Sequence, residues 1–157
     1  MDQNYFFQPD DPQGFNQFDN FNQGHQRQVS FGEAISRALT TNYCNFSGRA
    51  SRSEFWWFQL FGAILGGAMS FINAMTLDSY GQPNMTVYII MCLINLALFL
   101  PNLGISVRRL HDIYRSGWWV LLGLLCCVGT IILNVWYYKE SDPTENEYGP
   151  VPNMEYN

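Results

Sequence analysis

Apolar residues run in long blocks along this chain, in place of strict alternation or a single stripe recurring once per helical turn. Three stretches, 55–77, 86–107 and 117–138, contain no charged residue, and each is about 22 residues long, enough helix to cross roughly 30 Å of hydrocarbon. The pattern predicts an all-α membrane protein with three transmembrane helices. Ahead of them, "SFGEAISRALTTNYCNF" has a different period: Phe31, Ile35, Ala38 and Leu39 fall on one helical face, and Glu33, Ser36, Arg37 and Thr40 fall elsewhere. Ser30 and Glu33 have the spacing of a capping box, so a short amphipathic interfacial helix is expected over about 30–46. Such a helix lies in the headgroup layer or, alternatively, packs on the bundle as a short soluble helix.

The two ends of the chain are polar. Residues 1–29 are Gln, Asn, Asp and Gly punctuated by Phe6, Phe7, Phe15, Phe18 and Phe21, with too few aliphatic residues to build a core. A disordered tail is expected, its phenylalanines either weak adhesive points or without a role. It has neither a basic start nor an apolar run, so it does not read as a cleavable signal, and the span 55–77 is expected to act as the first anchor. Residues 139–157 are acidic and rich in Pro, Asn and Gly, and are expected to form a flexible tail short enough to fold back on the protein.

Small and polar residues within the blocks predict how helices meet. Gly62, Gly66, Ser70 and Ala74 recur every fourth residue and form a smooth helix-packing face, directed at another helix of the chain or at a second copy, which would make a homo-oligomer. Asn73, Asn95 and Asn134 are expected to join helices through their amides. Pro101 deprives the Ala97 carbonyl of its usual partner, so a kink is expected there.

Charge then sets direction. The net charge is −5, but most carboxylates sit in the tails, whereas seven of the eight Lys and Arg residues precede or separate the apolar blocks. Nothing in this balance points to nucleic acid. Arg27, Arg37, Arg49 and Arg52 precede the first block, and Arg108, Arg109 and Arg115 lie between the second and third. The positive-inside rule therefore places the N-terminus and the second loop in the cytoplasm, and three full crossings would put the C-terminal tail outside. The weak point is "LLCCVGT" at the centre of the third block, which can instead turn back as a half-membrane hairpin. "RSEFWW" and "RSGWW" repeat one device: arginine in water, Ser53 or Ser116 placed to cap a helix, and tryptophan at the interface.

Candidate chemistry is confined to one face. Arg49, Arg52, Glu54, Arg108, Arg109, His111, Asp112 and Arg115 all fall at or just beyond the expected cytoplasmic ends of the spans. They read either as a structural ion-pair cluster latching the loop to the first helix, or as a site for an anionic ligand, an anionic phospholipid headgroup foremost, because five arginines exceed two carboxylates. Cys44, Cys92, Cys126 and Cys127 form no C-x-x-C pair, so no metal site or disulfide framework is suggested. No catalytic motif and no cofactor fingerprint is present, and the spans hold no ionisable residue to mark a transport path. The expected role is structural or regulatory; a membrane-embedded enzyme or small-molecule carrier using the Arg, His and Asp cluster is the alternative.

Three separated motifs, "NYCNFSGRASRSEFWWF", "RRLHDIYRSGWW" and "PTENEYGP", resemble a bacterial inner-membrane family known as domain of unknown function 805, over 41–152. The resemblance implies a small polytopic protein of the bacterial inner membrane and carries no established activity. A proline that the family often places mid-way along its last span is replaced here by Cys126 or Cys127, which favours a continuous third helix.

Overall fold

The computed structural model describes residues 25–77, 81–82 and 84–155. The five phenylalanines of the N-terminal tail lie outside the described residues. In chain order the elements are β1 (His25–Gln26), α1 (Phe31–Leu39), α2 (Arg52–Met75), α3 (Met85–Asp112), a 3₁₀ segment (Gly117–Leu124), α4 (Cys126–Tyr138) and β2 (Met154–Glu155).

The α1 helix starts as its capping residues dictate, with Ser30 Oγ accepting the Glu33 N–H at 3.4 Å. It stops well short of residue 46. The Thr40 hydroxyl donates to the Ser36 carbonyl at 2.6 Å and the Asn42 N–H reaches the Arg37 carbonyl at 2.8 Å, so a polar run consumes the last helical acceptors. Its inner face is small, Ala34 and Ala38 being fully buried, and Phe31 packs edge-on against Trp57 of α2. The helix is thus docked on the start of α2. Order also begins ahead of Ser30, for Val29 is buried and its N–H donates to Ser53 Oγ at 3.0 Å. That contact corrects the capping expectation: Ser51, not Ser53, caps α2, taking the Glu54 N–H at 3.3 Å from an extended backbone.

Both α2 and α3 are long and apolar enough to cross a membrane. They leave large side chains such as Phe71, Leu93, Leu96 and Phe99 exposed, the pattern of helices whose solvent is hydrocarbon. A side-chain bond from Gln59 Nε2 to Asn102 Oδ1, 2.9 Å, joins the two helices. Helix α3 runs on through Pro101. The carbonyl that Pro101 leaves without its amide partner, Ala97, accepts the Tyr43 hydroxyl at 2.6 Å.

The third apolar block departs from expectation. It is not one crossing helix but two arms, the 3₁₀ segment and α4, folded at Leu125. The 8-residue 3₁₀ arm rises about 16 Å and the 13-residue α4 about 20 Å, each well short of the roughly 30 Å layer. Trp119, early in the first arm, meets Trp136, late in the second, edge to face at 5.6 Å, so the arms run back along each other. Gly129 makes the return feasible, because a Cβ there would overlap the Leu122 carbonyl.

The buried cluster formed by Ala38, Ala50, Phe55, Phe58, Ile105, Leu110, Leu133 and Tyr137 lies at one end of the bundle, where α2 begins and α3 and α4 finish. Away from that end the small stripe Gly62, Gly66, Ser70 and Ala74 is exposed, with no described atom within 4 Å of a Cβ built at either glycine. Asn95 and Asn134 bond back to their own helices, at the Met91 and Thr130 carbonyls, and do not bridge between helices through these bonds.

Residues 28–153 form one compact unit, and among the described residues His25–Arg27 and Met154–Glu155 belong to another. In the latter, β1 pairs antiparallel with β2, Gln26 opposite Met154, and Arg27 forms an ion pair with Glu155 at 3.0 Å.

Candidate functional site

The site grows from α3. As the apolar run of this helix ends at Val107, four polar residues follow within its last turn and a half, and two of the three motif partners come to meet them. Asp112 is fully buried and its carboxylate is shared by two arginines, Arg49 Nε at 3.0 Å and Arg109 Nη1. Neither arginine stops there. Arg49 donates to the carbonyls of Thr144 and Asp142, each at 2.6 Å, and more weakly to Gly149 at 3.4 Å. Arg109 donates to the carbonyls of Tyr137, at 3.1 and 3.2 Å, and Lys139. These last two are the orphan acceptors at the C-terminus of α4, where the helix dipole also favours a cation. Every nitrogen of both guanidiniums therefore has an acceptor, and most of the acceptors are backbone carbonyls, those of Lys139, Asp142, Thr144 and Gly149 in the C-terminal tail.

The tail is shaped to supply them. Asn146 and Gly149 exchange backbone hydrogen bonds across a tight turn, which Gly149 permits by adopting φ of +126°. The Asn146 side chain braces the turn from within, accepting the Tyr148 N–H at 3.0 Å, and ties it to α3 by donating to the His111 carbonyl at 3.0 Å. Tyr148 stacks on the His111 ring at 3.9 Å, nearly parallel. Asp142 fixes the preceding bend by accepting the Thr144 N–H and hydroxyl, which hold its carboxyl below the usual carboxylate range. Asn153 then reaches Ser51 and Arg37, the latter at 2.7 Å, while Arg37 also pairs with Glu33.

His111 and Asp112 do not act as a pair. The His111 Nδ1 lies 3.2 Å from the Gly48 carbonyl, which can only accept, so this nitrogen carries the proton. Asp112 faces the two arginines instead. The other buried ion pair joins Arg108 Nη1 to Glu54 Oε1 at 3.0 Å, linking the end of α3 to the first turn of α2. Arg52 and Arg115 stay at the rim. Arg52 makes a 3.8 Å contact with Glu140, and Arg115 lies over the Trp136 ring at 4.9 Å.

Of the eight candidate residues, six thus enter a buried network and two remain exposed. The residues that sequence reasoning left out of the site are Tyr43, Ser51, Asn146, Tyr148, Gly149 and Asn153. Five of these lie inside the quoted motifs, all but Asn153, and a reading that treated all three motifs as one surface would have found them. Among the described residues no group of His, Cys, Asp and Glu has the arrangement of a metal site.

Comparison with known proteins fits this convergence, since the matched segment begins and ends within the motifs that meet here. A family described as protein of unknown function DUF805 matches residues 43–150. Inner membrane protein YhaI of Escherichia coli (strain K12) is 37% identical over 115 residues, 73% of this chain and 92% of the relative. Inner membrane protein YhaH of the same strain is 35% identical over 116 residues, with the same coverage of both. No solved structure matches the chain. With apolar helices fit for a bilayer and both inner-membrane relatives covered almost end to end, the chain belongs to the DUF805 family of bacterial inner-membrane proteins.

Proposed function

We propose that this chain is a multi-pass inner-membrane protein with a structural or regulatory role, its two termini both cytoplasmic, presenting a basic rim to anionic phospholipid headgroups. The observation that carries the structural part is the consumption of Arg49 and Arg109 by Asp112 and by carbonyls of the tail and the end of α4: their charge is committed to holding the tail on the helix ends. The cations left for a headgroup are the exposed Arg52, Arg115 and Lys139. A cytoplasmic tail agrees with the positive-inside rule better than three full crossings do, since all eight Lys and Arg residues then share one side and the connection after α2 has none. The pairing of His25–Gln26 with Met154–Glu155 supports the same sidedness.

Each exposed cation near an anionic bilayer surface contributes about 1 kcal/mol. Native mass spectrometry from mild detergent should therefore find phosphatidylglycerol retained over phosphatidylcholine in the wild type. An Arg52→Ala, Arg115→Ala, Lys139→Ala triple variant should weaken that preference, keeping at most one tightly held lipid, while staying folded. A wild type indifferent to headgroup charge, or an unaltered preference in the folded triple variant, overturns the lipid part of the reading.

A further inference from the structure

Arg108 differs from its two buried neighbours. Its side chain is 5% exposed and Nη1 is paired with Glu54, yet Nε and Nη2 are buried with no acceptor in the protein. These two nitrogens form the side-on edge of the guanidinium, the fork whose parallel N–H bonds match two oxygens of one carboxylate or phosphate. An intact fork buried without acceptors costs more than a single missed hydrogen bond, because the group is charged. The buried end of the bundle is also cationic as a whole: among the described residues Arg49, Arg108, Arg109, Glu54 and Asp112 leave one positive charge over, which belongs to the Arg49, Arg109 and Asp112 triad, the Arg108 and Glu54 pair being balanced.

Position narrows the chemistry. Arg108 is the first residue after the apolar stretch of α3, and its own carbonyl is fixed by the Ala50 N–H at 3.1 Å, directly before α2 begins. This is the level at which a helix leaves hydrocarbon and meets lipid phosphates. We propose that the Nε and Nη2 edge of Arg108 binds a singly charged phosphate group, with Glu54 orienting the guanidinium through Nη1. The inference rests on the anionic-headgroup reading only for the source of that phosphate, a lipid phosphodiester or free phosphate. Because both nitrogens lie under the protein's own atoms, neighbouring side chains must part for the group to enter, so it exchanges slowly.

The test uses the full-length protein, delipidated in detergent and titrated separately with dioleoylphosphatidylglycerol and with inorganic phosphate, reading melting temperature and native mass. At least one probe should bind saturably at one equivalent. Arg108→Lys keeps the charge and loses the fork, so binding should weaken about tenfold or more, whereas Arg52→Ala with Arg115→Ala should leave this one-equivalent event in place. Saturation by the lipid alone identifies a headgroup site; saturation by phosphate as well identifies a free-anion site, and both support the proposal. No saturable binding to the wild type overturns it, as does equal binding by a folded Arg108→Lys variant. Loss of binding only in the rim variant overturns it too, and leaves the rim reading standing. Should Arg108→Lys fail to fold, spectra of the wild type labelled with [15N]arginine decide the matter: one slowly exchanging Nε–H signal should move on saturation, and no movement overturns the proposal.

Discussion

Asp112 is where the loss of a single side chain costs most. It supplies the carboxylate that both Arg49 and Arg109 share, all three being buried, so Asp112→Asn leaves two guanidiniums inside the protein with no anion between them. Removing one partner of a buried ion pair costs about 3–5 kcal/mol, and the melting temperature in detergent should fall accordingly. Arg115→Ala, by contrast, removes an exposed cation that only lies over Trp136, and should cost about 1 kcal/mol or less. A variant at Asp112 as stable as one at Arg115 would mean the network is ornamental to the fold. That arginines outnumber carboxylates near the helix ends was legible in the residues. That Arg49 and Arg109 are satisfied mostly by carbonyls was not, because a backbone carbonyl has the same identity at every position and leaves no mark in a sequence.

Among the elements, the two long apolar helices were legible nearly to their ends, since an uncharged run of that length between polar segments has few alternatives. The third block was not, because about 22 apolar residues can make one crossing or two half-depth arms with the same composition. What decides between them is a contact, the seating of the Leu122 carbonyl on Gly129. Gly129→Ala should therefore force the arms apart and cost about 1–3 kcal/mol, with altered tryptophan fluorescence as the Trp119 and Trp136 contact opens. A neutral Gly129→Ala would argue against so close an approach. In α3 the carbonyl freed by Pro101 was legible, but its partner was not, for Tyr43 is distant in sequence. Tyr43→Phe should cost about 1–3 kcal/mol as it leaves that carbonyl unpartnered, and the cost should shrink in a Pro101→Ala background, where the helix supplies its own donor at residue 101. Equal costs in the two backgrounds would separate Tyr43 from the proline.

In the molecule as a whole, three motifs far apart in sequence close around the ends of α2, α3 and α4, and the tail is the piece that completes the closure. A chain ending at Ser141 loses the Asp142, Thr144 and Gly149 carbonyls that Arg49 uses, together with the Asn146 and Tyr148 contacts to His111. It should be recovered poorly from the membrane and melt well below the full chain; a truncated chain of unchanged stability would show that the tail merely decorates the bundle. The motif resemblance was sufficient to anticipate the family and the membrane, whereas the return of the tail depends on the hairpin and was anticipated only as an alternative to a third crossing. Reporter fusions distinguish a third apolar block that turns back, leaving the tail on the side of the arginines, from one that crosses. Alkaline phosphatase and a fluorescent protein would each be fused at Asn157, inserted at Gly81 in the connection after α2, and placed ahead of Met1. The Met1 and Asn157 fusions should report the same side, fluorescent and without phosphatase activity, and Gly81 the opposite one. An active phosphatase at Asn157, with Met1 reporting the cytoplasm, would mean that the third block crosses the membrane completely and that no half-membrane return exists.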